Sequence, residues 1–140
     1  MTVMPAELLS AAVAVLAVIF IYVTVFNVGR ARGATKINAP AITGHPMLEA
    51  AIRVQMNTVE QAVVFFPLLY LATAYFHTLA WLPAAFGLLW IVGRFLYMIG
   101  YMQDPGRRST GFLVTLLATL GLLVLSIWGI VQAWIAVHAV

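Results

Sequence analysis

Long apolar runs alternate with short polar breaks along this chain. Four runs are each long enough to cross a bilayer core of about 30 Å at about 1.5 Å of helical rise per residue. The pattern predicts helices over about 5–28, 47–77, 82–102 and 110–137. The breaks differ in kind. GRARGATKINAPAITGHP, after the first run, is long and polar, whereas HTLAWLP is short and QDPGRRS is short and basic. Gly33 and Pro40 are expected to stop the first helix, and Pro67 to kink or loosen the second. Pro83 suits a first helical turn, and Asp104-Pro105-Gly106 is a turn sequence. The expected fold is an all-α membrane protein, a single antiparallel four-helix bundle over residues 1–140. The first run is read as a retained helix, because no basic stretch precedes it and Glu7 stands at its start.

Composition strengthens the membrane reading. Hydrophobic residues make up 64% of the chain and charged ones 8%, where an average soluble domain has about 25% charged. The net charge of +3 matters less than its placement. Arg30, Arg32, Lys36 and Arg53 border the first break, and Arg107 and Arg108 lie in the third. The remaining break has no Lys or Arg. The positive-inside rule then places breaks one and three in the cytoplasm and both termini outside, in an inner or plasma membrane. No basic cluster with interleaved aromatics suggests a nucleic-acid partner. There is no cysteine, so any thiol chemistry must use a thiol carried by a ligand.

Polar residues inside the oily runs fall into two stripes. Helical spacing places Arg53, Asn57 and Glu60 within about 60° of one another on the second helix. Gln61 is adjacent, while Gln55 points nearly opposite, toward another helix or another subunit. On the third helix Arg94, Tyr97 and Tyr101 share a face, with Arg107 and Arg108 just beyond. The short link makes these helices antiparallel neighbours, so the stripes can meet at one depth. The cations outnumber the carboxylates, which points to an anionic ligand. Arginine forks carboxylates, and Glu60 can receive an ammonium. A small peptide with two carboxylates and an amine, such as glutathione, fits the set, which does not by itself select glutathione over a phosphate ester. An arginine near a ligand thiol would favour its thiolate.

Structural alternatives stand beside that reading. Arg53 can neutralise Glu60, and Arg94 can pair with Glu60 across the helices. Arg107 and Arg108 can be interfacial anchors. Tyr22, Tyr70 and Tyr75 read as interfacial aromatics. His45, His77 and His138 are scattered without metal-ligand spacing, so no metal is expected and all three read as interface residues. Gly121 and Gly129 suit close packing of the fourth helix.

RVQMNTVE at 53–60, GRFLYMIGY at 93–101 and RRSTGF at 107–112 resemble the motifs of the MAPEG family, the membrane-associated proteins in eicosanoid and glutathione metabolism, in a bacterial-type member. The resemblance covers essentially the whole chain. It implies a homotrimer of four-helix protomers that binds glutathione as co-substrate between neighbouring subunits. It implies a glutathione transferase acting on a hydrophobic electrophile or lipid substrate among the membrane lipids, and it admits glutathione peroxidase activity. By position, Arg53, Asn57, Glu60, Arg94, Tyr97 and Tyr101 resemble glutathione-binding residues. Gln55 and Arg32 resemble residues that reach the ligand from the adjoining subunit. Arg108 resembles the catalytic arginine at the sulfur, with Arg107 as the fallback. Gln61 and Phe112 stand where eicosanoid-forming members carry tyrosines, which points to a more general substrate. The same family includes a non-catalytic lipid-binding scaffold. A small four-helix drug transporter is the remaining alternative, disfavoured because such carriers need a deep titratable carboxylate.

Overall fold

A computed structural model describes residues 5–139; residues 1–4 and 140, which the 1–140 domain reading includes, lie outside the described residues. The chain forms α1 (Pro5–Thr35), α2 (Pro46–Tyr75), α3 (Leu82–Gln103), a 3₁₀ turn (Pro105–Arg108) and α4 (Ser109–His138). All four α-helices are long and apolar enough to span a membrane, and no strand occurs among the described residues. The protein is an all-helical, multi-pass integral membrane protein. α2 and α3 each pack against both α1 and α4. The centre is built from Val13, Ala17, Ala62, Phe65, Leu69, Ala72, Trp90, Ala118 and Leu122. Phe65 and Trp90 stack at 4.1 Å between ring centroids, 9° from parallel.

Glycines set how closely α3 and α4 approach. A Cβ on Gly93 would sit 2.6 Å from the backbone nitrogen of Thr115, and one on Gly111 would strike the backbone of Tyr97. These two positions fix the register between Tyr97 and the start of α4. Gly121 and Gly129, the packing glycines expected from the sequence, meet the Phe86 ring and the Tyr75–Phe76 backbone.

The helix ends differ from the sequence expectation most in α1. That helix runs through Gly29 and Gly33, which have open space around them, and stops at Thr35. Glycine costs a helix about 1 kcal/mol relative to alanine. The cost is offset because Val28 and Ala31 pack against Leu48 and Ala51 of α2 in a second small core. The stop comes from Lys36, whose φ of 56° is left-handed, a conformation that satisfies terminal carbonyls after a helix. Arg30 and Arg32 are therefore helical rather than part of a loop. α2 continues through Pro67, which lies on an exposed face, and ends two residues short of the expected His77 because Phe76 is extended.

Candidate functional site

The start of α2 is tied down at residues 44–49. His45 caps the helix, its Nδ1 accepting from the Met47 N–H at 3.1 Å. Glu49 in the first turn accepts from the Gly44 N–H at 3.1 Å. A carboxylate in the first turn also complements the helix dipole. His45 is thus a cap, a role its position ahead of Pro46 could have suggested. With that end fixed, Arg53, Asn57 and Glu60 follow along one face of α2.

The end of α3 is tied down by the Asp104-Pro105-Gly106 turn. The Asp104 Oδ1 accepts from the Gly106 N–H at 3.0 Å and starts the 3₁₀ turn. That turn folds back onto α3, so that a Cβ on Gly100 would meet the Arg107 carbonyl oxygen at 2.5 Å. The fold-back places the Arg108 guanidinium carbon 5.7 Å from the centre of the Tyr101 ring. Tyr101 in turn lies 5.6 Å from Tyr97, ring to ring.

Arg53 and Tyr101 line one cleft of about 430 Å³, together with Glu49, Met56 and Pro105. A second hollow of about 330 Å³ is lined by Gln55, Met56, Val59 and Glu60. The two share Met56, so they adjoin as a strip of exposed and half-buried side chains on α2. Arg53, Glu60, Arg107 and Arg108 are exposed, and Gln55, Asn57 and Tyr101 are half-buried. The sequence-derived stripes from α2 and α3 do meet, and they meet at the loop end of the bundle.

Arg94 lies behind this strip and has no accessible surface. Its Nη2 donates to the Asn57 Oδ1 and to the Thr58 Oγ1, each at 3.0 Å. Its guanidinium carbon stands 4.1 Å from the centre of the Tyr97 ring, a cation–π contact. Asn57 donates from Nδ2 to the Glu60 Oε2 at 3.4 Å. The direct Arg94–Glu60 pair considered from sequence is replaced by an amide that bridges them. Thr58 was missed in the sequence because a threonine inside an apolar helix usually bonds its own backbone, and this one does so too, to the Val54 carbonyl at 2.7 Å. Glu49 was missed because it precedes the stripe by a full turn.

Three other arginines have local partners. Arg32 donates from Nη1 to the carbonyls of Ala41 (2.8 Å) and Ile37 (3.3 Å), clasping the 36–45 loop of its own protomer. Arg107 donates to Gln103 at 3.3 Å and Arg108 to the Pro105 carbonyl at 3.1 Å.

The MAPEG family model matches residues 10–128. The chain belongs to the MAPEG family. Its relatives within MAPEG include microsomal glutathione S-transferase 2 of Homo sapiens, 38% identical over 104 residues, which are 69% of this chain and 69% of that protein. An uncharacterized protein of Synechocystis sp. is 36% identical over 126 residues, 87% of this chain and 90% of its own length. Leukotriene C4 synthase of Bos taurus is 33% identical over 101 residues, 66% of each chain. Glutathione transferases therefore stand among the MAPEG proteins this chain is similar to.

The strip itself can hold an anion at two places and a cation at one. The exposed guanidiniums of Arg53 and Arg108 flank Tyr101, and exposed arginine is well suited to forked recognition of carboxylates. The Glu60 carboxylate, with the Asn57 amide beside it, offers acceptors to an ammonium. Tyr101 is part of the wall of the cleft at the Arg53 end. Among the described residues no group of three His, Asp or Glu side chains gathers in a metal-binding arrangement.

Proposed function

We propose that this protein is a membrane-bound glutathione transferase that conjugates glutathione to hydrophobic electrophiles dissolved in the bilayer. The observation that carries the reading is the open strip on α2, with Arg53 and Tyr101 at one end and Asn57 and Glu60 at the other, in a chain 38% identical over 104 residues to a microsomal glutathione S-transferase. Arg53 takes a glutathione carboxylate, Glu60 its ammonium, and Asn57 and Tyr101 its peptide body. Tyr97 backs Tyr101 from within the bundle. Arg107 lies at the edge of the same site.

Arg108 is assigned to the sulfur. A guanidinium beside a thiol stabilises the thiolate over the thiol, so the proton leaves to solvent at neutral pH. The thiolate then attacks the electrophilic carbon, a C–S bond forms, and the leaving group departs with the electron pair. The positive charge of Arg108 remains throughout and serves both thiolate formation and ligand orientation.

The reading includes a homotrimer with the strip covered by a neighbouring protomer. Large apolar side chains exposed on the single protomer, among them Phe26, Val63 and Val124, leave ample surface for subunit and lipid contact. Gln55 and Arg32 are assigned to that neighbouring-subunit contribution, Arg32 by shaping the 36–45 loop. The reading also places the loop end of the bundle in the cytoplasm, where the basic residues gather, and both termini outside.

The test is ultraviolet absorbance of the glutathione thiolate on mixing with purified protein, followed by turnover against a panel of electrophiles. Thiolate formation that disappears in Arg108→Ala is expected. Glutathione binding without a lowered thiol pKa, or full turnover by Arg108→Ala, would overturn the mechanism. Absence of glutathione binding in a calorimetric titration would favour the non-catalytic lipid scaffold instead.

A further inference from the structure

We infer that Arg94 is the positioning residue of this site: it stays out of contact with the ligand and sets the orientation of Asn57, and through Asn57 the carboxylate of Glu60. The inference rests on the glutathione reading above and concerns how that site is held.

Three observations carry it. First, Arg94 is inaccessible, so a ligand in the strip meets the residues in front of it. Second, the hydrogen bonds form a directed chain. Arg94 Nη2 donates to Asn57 Oδ1, and Asn57 Nδ2 donates onward to Glu60 Oε2. Arginine has no acceptor, so turning the amide over would set its NH₂ group against the guanidinium. The amide is therefore locked with its oxygen inward and its donor outward, toward the carboxylate. Third, the guanidinium is itself held. Nη2 also donates to Thr58, whose hydroxyl is anchored to the Val54 carbonyl. The Tyr97 ring face covers the guanidinium carbon.

The electrostatics point the same way. Arg94 Nε and Nη1 are buried without an acceptor among the described residues, so none of the described carboxylates neutralises this cation directly. Its link to the Glu60 carboxylate runs through the one bridging amide. Asparagine is the residue type that serves both neighbours. An aspartate would suit Arg94 and repel Glu60, and an apolar residue would leave a buried guanidinium bond unmade. Lysine cannot replace Arg94 in kind, because its compact ammonium lacks the planar fork that reaches Asn57 and Thr58 together.

The experiment is a double-mutant cycle read by isothermal titration of glutathione into the purified full-length protein. Arg94→Lys and Asn57→Ala are each expected to weaken glutathione binding about tenfold. In the double variant the two losses should not multiply, leaving it no weaker than Asn57→Ala alone. A purely structural role for Arg94 would lower the binding stoichiometry, as the folded fraction falls, and leave the dissociation constant of the remaining protein unchanged. That result overturns the inference, as does a double variant weakened about a hundredfold, which would make the two residues independent. If Arg94→Lys does not fold, Thr58→Val takes its place in the same cycle. A measurable loss of affinity that vanishes in the Asn57→Ala background supports the inference, and unchanged affinity overturns it. Wild-type protein that fails to bind glutathione sinks the functional reading itself, an outcome distinct from wild-type binding with an additive cycle, which sinks the positioning role alone.

Discussion

Arg94, near the middle of α3, and Arg108, in the turn beyond it, are the same side chain, and the structure uses them in opposite ways. Arg94 is sealed between α2 and α3, bonded to Asn57 and Thr58 and covered by Tyr97. Arg108 is exposed and donates to a carbonyl in its own turn, with the Tyr101 ring 5.7 Å away. Burial makes a cation part of the fold, because its bonds are made from within and removing it orphans Asn57 and Thr58. Exposure leaves the charge available to something that arrives from outside, and makes it nearly irrelevant to stability. The contrast separates what shapes the site from what would act in it.

The harshest way to break the contrast is Gly111→Leu. Its side chain would collide with the Tyr97 backbone, forcing α3 and α4 apart. Overpacking costs about 1–3 kcal/mol where side chains can yield and more where the obstacle is backbone. The expected outcome is loss of the folded, detergent-soluble species in size-exclusion chromatography.

Next comes a paired measurement of thermal stability and turnover. Arg94→Met should lower the melting temperature, since hydrogen bonds to a charged group contribute about 1.5–3 kcal/mol each way. Arg108→Ala should leave the melting temperature unchanged while turnover falls about a hundredfold, the scale for deleting one preorganised charge-stabilising group. Equal melting shifts in the two variants would erase the distinction between buried and exposed arginine.

A milder change sharpens the middle of the chain of contacts. Asn57→Ala keeps every charge and removes the bridging amide. Glutathione affinity should fall about tenfold, near 1.4 kcal/mol, with turnover at saturation less affected. An unchanged dissociation constant would mean that Arg94, Asn57 and Glu60 serve one another and no ligand. The smallest effect is expected for Arg107→Ala. Arg107 faces Gln103, so turnover should change by no more than about threefold, within the range of exposed pairs. A loss as large as that of Arg108→Ala would reassign the sulfur contact.

Much of the candidate site's arrangement is legible in the sequence. The spacing of Arg53, Asn57 and Glu60, and of Arg94, Tyr97 and Tyr101, is a consequence of helical periodicity, and the meeting of the two stripes follows from a short link between antiparallel helices. Depth was less legible. Nothing in the linear pattern distinguishes Arg94, which is inaccessible, from Arg53, which is exposed, because both stand in oily helices beside polar residues. Thr58 carried no signal at all, since its partner lies 36 positions away.

The sequence alone determined the four helical spans, since the apolar length that crosses a bilayer is a local property of the chain. It also determined which polar side chains share a helix face. The tertiary structure alone decided where α1 ends, because packing of Val28 and Ala31 on Leu48 and Ala51 outweighs the local cost of two glycines. It decided too that Asn57 bridges Arg94 to Glu60. That outcome depends on the register of α2 against α3 to within the reach of one hydrogen bond, and register is set by close packing between helices, which no single helix specifies.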